Sequence, residues 1–154
     1  MHRLDAKRPS QTAALLCAAL ILGACGEDDD PLPDGCTEGP AAVRAALRAA
    51  PRDVRLDGAR LSDCLTEGAS GGELQAVGVS FLGTAARLAP AARREPEGRA
   101  ALELGYLVGA AHRGGGSTQG VHDELLRRLD QELAGVDTRS GAFRRGERAG
   151  SSGG

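Results

Sequence analysis

The chain has 154 residues, with 19 Lys/Arg against 21 Asp/Glu, a formal net charge of −2, and three aromatic residues, Phe81, Tyr106 and Phe143. This balance excludes nucleic acid as an expected partner, because phosphate binding requires a clustered cationic surface. With so few rings, the core must be built from Ala, Leu and Val, which suits closely packed helices and offers little for aromatic ligand stacking or sugar platforms.

At the N-terminus a basic start with His2, Arg3, Lys7 and Arg8 precedes an apolar stretch over 13–22, then small residues and a cysteine. The stretch is shorter than the ~20 apolar residues of a permanent membrane helix, so it reads as a removable export signal. The tetrapeptide Leu22-Gly23-Ala24-Cys25, followed by Gly26 and the acidic cluster Glu27, Asp28, Asp29 and Asp30, resembles the lipobox of bacterial lipoprotein precursors. The resemblance covers residues 1–25. It implies cleavage before Cys25, a diacylglycerol on the Cys25 sulfur and an extracytoplasmic location on the membrane. Two or more acyl chains give stable anchoring where one gives only marginal binding.

Removal of residues 1–24 leaves 16 basic against 20 acidic side chains, a formal charge of −4. Residues 25–39 contain the acidic cluster with Pro31, Pro33 and Gly35 and are expected to form an extended, solvated tether. With Cys25 assigned to lipid, Cys36 and Cys64 remain. An even pair in an oxidising compartment reads as a disulfide; a redox or metal-binding thiol pair lacks its C-x-x-C spacing.

Residues 40–134 are expected to form the folded domain. A first helix opens at Thr37 or Pro40 and runs to Ala50, with Val43, Ala46, Leu47 and Ala50 on one face, and Pro51 ends it. Val54 and Leu56 make too brief a pattern for a strand. Asp57 is positioned to cap a short helix carrying Leu61, Cys64 and Leu65 inward. Ser70-Gly71-Gly72-Glu73 has the form of a capping box and starts a long helix with Leu74, Val77, Phe81, Ala85, Leu88 and Ala92 on one stripe. Pro96 and Glu97 begin another. Between Arg99 and His112 its only charged residue is Glu103, so it is apolar almost all round and should lie centrally. Its Gly105 and Gly109 form a G-x-x-x-G that lets a neighbouring backbone approach. After a glycine-rich turn over 113–120, Ser117 or Thr118 caps a last helix with Leu125, Leu126, Leu129 and Leu133 as its stripe. Residues 135–154 hold Gly, Ser and Arg with little apolar content and are expected to be a disordered tail, made locally cationic by Arg144, Arg145 and Arg148. The fold class is therefore all-α, a small bundle of four to five helices.

Chemistry is sparse in this pattern. His112 and His122 flank the glycine-rich turn, and if they converge, with Glu103 or Asp123 nearby, they can hold a metal or exchange a proton. The run before the last helix lacks the ending of a P-loop, and Ser117 has no nucleophile-elbow sequence around it. No cofactor is implied. The function expected is a non-catalytic, lipid-anchored module that binds or positions another envelope protein. The alternative is a small metal- or ligand-handling domain using His112 and His122.

Overall fold

The computed structural model describes residues 32–66, 69–115 and 120–154. The expected export signal, Cys25, the acidic cluster over 27–30, and Ser117 and Thr118 lie outside the described residues. The fold is all-α, with six helices and a two-strand hairpin among the described residues.

The first is the short α1, Asp34–Thr37, followed by α2, Pro40–Leu47, which starts at a proline whose missing N–H costs nothing in a first turn. The helix ends three residues before Ala50, in turns through Ala49 and Ala50. Residues 32–39 are not the solvated tether expected from their composition. Leu32, Gly35 and Cys36 are buried, Gly35 N–H donates to Asp57 Oδ2 (2.6 Å), and Cys36 is bonded to Cys64 with a Cα–Cα distance of 5.6 Å. The polar letters around these three residues concealed one apolar anchor, one backbone hydrogen bond and one covalent bond.

Strands β1, Arg55–Leu56, and β2, Ala59–Arg60, pair antiparallel across Asp57 and Gly58. Both turn residues have positive φ, +47° and +85°, which matches the right-handed twist of a two-residue hairpin. Asp57 therefore does not cap the next helix. That element is a 3₁₀ turn, Leu61–Leu65, closed by Asp63, whose Oδ2 accepts from Arg60 N–H (3.1 Å). It still turns Leu61, Cys64 and Leu65 inward.

Helix α3, Gly71–Arg94, begins at the expected capping box: Ser70 Oγ accepts from Glu73 N–H (3.3 Å) and Glu73 Oε2 accepts from Ser70 N–H (2.8 Å). It buries Val77, Phe81, Ala85, Leu88 and Ala92. Pro90 lies within it without ending it. Pro90 and Ala86 are both exposed, so the carbonyl that loses its N–H partner faces water.

Helix α4, Arg99–Gly115, is the central element, with Leu104, Tyr106, Leu107, Val108, Ala110 and Ala111 buried around its circumference. Helix α5, Val121–Glu132, covers one side of α3 and α4 with Leu125 and Leu129. The final helix, α6, Gly141–Gly153, corrects the expected disordered tail. It is the most extensive packing partner of α4, and Ala142, Phe143, Gly146 and Gly150 are buried in it. The domain thus runs from Leu32 to Gly154 rather than over 40–134.

The seam between α4 and α6 is made of glycine. A Cβ at Gly105 would overlap the carbonyl oxygen of Phe143, and one at Gly109 that of Glu147. In return, a Cβ at Gly146 would overlap the carbonyl of Leu102, and one at Gly150 that of Tyr106. Partner positions rise together along both chains, so the helices run parallel with backbone against backbone. Each interior glycine costs a helix about 1 kcal/mol relative to alanine. The seam offsets this by close packing over about two and a half turns, backed by the buried Phe143 ring.

Candidate functional site

Helix ends in this domain are closed by side chains from other elements. Arg93 on α3 donates from Nε to Ala134 O (2.8 Å) and from Nη2 to Glu132 O (3.1 Å), covering the end of α5. Arg99 on α4 reaches the carbonyls of Leu47 and Arg48 at the end of α2 while its Nε pairs with Glu103 (2.8 Å). Arg113 reaches Ser151 and Ser152 at the end of α6. A guanidinium at these carbonyls satisfies orphan acceptors and the negative end of the helix dipole together. At the opposite pole, Glu97 accepts from Gly141 N–H (2.7 Å) and Ala142 N–H (3.0 Å), and Ser140 Oγ accepts from Phe143 N–H (3.2 Å), fixing the start of α6.

The two histidines do not share a site. His112 is exposed on α4 and its Nε2 lies 3.5 Å from Asp130 Oδ1. Asp130 is eight residues beyond His122 on α5, about 12 Å along the helix axis. His122 itself is 5% exposed, within the Leu125 and Leu129 stripe, and its Nε2 has no hydrogen-bond partner among the described residues. Glu103 belongs to Arg99, and Asp123 Oδ2 accepts from Gly120 N–H (3.3 Å). Among the described residues no group of three or more His, Cys, Asp or Glu side chains is placed to hold a metal ion.

Tyr106, the third member of the buried aromatic set, accepts a hydrogen bond from Val54 N–H at its hydroxyl (3.2 Å). Burial pushes its phenol above the ordinary value, with the Val54 bond acting in the opposite sense. The contact joins the strand connection to α4 and is structural.

The sequence reading missed the surface that α6 presents. With Gly146 and Gly150 turned to α4, its exposed residues are Gly141, Arg144, Arg145, Arg148, Ser151 and Ser152. Arg127 and Arg128 converge on Glu124 (2.8 and 2.6 Å) and Arg55 meets Asp53 (3.2 Å), whereas the exposed Arg44, Arg48 and Arg52 on and after α2 are not ion-paired among the described residues. Arg144, Arg145 and Arg148 have no carboxylate within ion-pair distance among the described residues. The signal for this helix was available in Ser140 as a cap and in Gly146 and Gly150 at the same four-residue spacing as Gly105 and Gly109.

No family model, curated protein or solved structure matches the chain. No helix among the described residues is long and apolar enough to cross a membrane.

Proposed function

We propose that the protein is a bacterial lipoprotein: an extracytoplasmic, non-catalytic module held on the membrane by an acylated Cys25, which binds or positions another envelope component. The observation that carries this reading is the lipobox Leu22-Gly23-Ala24-Cys25, seven residues before Leu32, the first buried residue of the domain. The Cys36–Cys64 disulfide supports it, because such bonds form and persist in oxidising compartments. Fractionation of cells making the wild-type chain and Cys25→Ser tests it. The wild type is expected in the membrane fraction and Cys25→Ser in the soluble exported fraction. Retention of Cys25→Ser on the membrane would overturn the proposal.

The second reading, a metal- or ligand-handling domain, keeps one observation in its favour, the unpartnered buried Nε2 of His122. It predicts that stoichiometric Zn²⁺ or Cu²⁺ raises the melting temperature and that His122→Ala removes the rise.

A further inference from the structure

We infer that the outward face of α6, carrying Arg144, Arg145 and Arg148, docks on anionic phospholipid headgroups of the bilayer to which Cys25 anchors the chain. The inference rests on the lipoprotein reading and adds the face by which the domain meets the membrane.

Three observations point to this occupant. The first is charge. Residues 32–154 contain 16 arginines and 16 acidic side chains, so they are formally neutral, yet residues 139–154 carry four arginines against Glu147 alone. The cationic excess therefore lies on two stretches, α6 with its approach and residues 40–52 with Arg44, Arg48 and Arg52, in a domain that is otherwise acidic. Nearby carboxylates are engaged or lie to the side: Glu97 holds the Gly141 and Ala142 amides, Asp137 Oδ1 accepts from Arg139 N–H (3.0 Å), and Glu147 is half-buried on the flank of the stripe. Arg145 leans over Gly141 toward Glu97 without forming an ion pair.

The second is the chemistry of the face. Its exposed positions are three arginines with glycine and serine between them and no apolar side chain. Protein interfaces have an apolar core inside a polar rim, which this face lacks. A hydrated sheet of phosphates asks for fixed guanidinium groups and nothing more. The glycine seam supplies the fixity, since α6 cannot rotate without driving backbone into backbone.

The third is reach. Cys25 and Leu32 are seven residues apart, so extended backbone bounds their separation at about 25 Å. A domain of this length is about 35 Å across, so an anchored chain brings any of its faces to the headgroups. Of the two cationic stretches, α6 exposes no apolar side chain, whereas residues 40–52 expose Ala41, Ala45 and Pro51 among their arginines.

The test uses the full mature chain, residues 25–154, carrying Cys25→Ser so that no acyl chain contributes. Co-sedimentation is measured with vesicles of equimolar phosphatidylglycerol and phosphatidylcholine and with phosphatidylcholine alone, at low and high salt. Binding is expected only to the anionic vesicles and only at low salt. Arg144→Gln, Arg145→Gln and Arg148→Gln together should lower the partition coefficient about a hundredfold, and Arg148→Gln alone about fivefold. The charge-matched control Arg55→Gln, Arg127→Gln and Arg128→Gln should stay within about threefold of the parent. Equal loss in both triple variants would show a net-charge effect and overturn the proposal, as would equal binding to the neutral vesicles. Binding that emerges only when Glu27, Asp28, Asp29 and Asp30 are replaced by serine would assign the stripe to the chain's own acidic run, again overturning it. None of these outcomes depends on acylation, so failure here is distinct from failure of the Cys25→Ser fractionation.

Discussion

His122 and Tyr106 each carry a polar atom on a buried ring, with opposite outcomes. The Tyr106 hydroxyl closes the Val54 amide, whereas His122 Nε2 has no partner among the described residues. Leaving a buried donor unsatisfied costs about 1–3 kcal/mol, while replacing an unsatisfied polar group by an apolar one of similar shape is neutral or favourable. Tyr106→Phe is therefore expected to lower unfolding stability by about 1–2 kcal/mol in urea denaturation. His122→Leu is expected to leave it unchanged or raise it by about 1 kcal/mol. A loss above 2 kcal/mol for His122→Leu would show that its imidazole has a partner after all.

At the scale of elements, α5 and α6 illustrate two ways of holding a helix. Helix α5 relies on Leu125 and Leu129 and on surface charge, where Glu124 bonds Arg127 and Arg128, which lower its carboxyl to about 2. A carboxyl depressed below its unfolded value of about 4.3 stabilises the fold above that value. The contribution fades as pH falls from about 4.3 toward 2. The stability difference between wild type and Glu124→Gln should accordingly be positive at pH 6 and vanish near pH 2. A difference independent of pH would rule out the ion pairs as its source. Helix α6 is held instead by shape. Gly109→Leu or Gly150→Leu would drive a side chain into the opposing carbonyls and is expected to cost about 3 kcal/mol or more, whereas Gly72→Ala, in the open first turn of α3, should cost little.

This contrast explains what could be read from the sequence. The α3 capping box and stripe, the all-round apolar α4 and the leucine stripe of α5 were legible because they bury large side chains at helical spacing. Helix α6 was not, because a glycine seam buries backbone, and hydropathy counts side chains. The segment over 32–39 was misread for a related reason: Leu32 and Cys36 are single anchors within polar company, and no periodicity announces them. The histidines were placed correctly along the helices, His122 within its stripe, but their convergence depended on the relative offset of α4 and α5, which one sequence does not encode in any local pattern.

At the scale of the whole domain, both ends of the described part, around α1 and in α6, belong to the core. The disulfide joins α1 to the 3₁₀ turn across 28 residues, and in the chain-entropy model such a closure contributes about 3–4 kcal/mol. Reduction should lower the urea midpoint by a corresponding amount, read by comparing melts with and without dithiothreitol; an unchanged midpoint would mean that packing alone holds α1. At the other end, truncation after residue 134, harmless to a domain ending there, is expected to abolish cooperative unfolding, because it exposes the whole α4 seam.

That dependence also sets a schedule. A nascent chain emerges N-terminus first, so α4 leaves the ribosome before the only backbone that fits its glycine face has been made. Until α6 is synthesised, the central helix has an open flank along its glycine face. Under the export proposed above, that order would leave the chain threadable until α6 has been made.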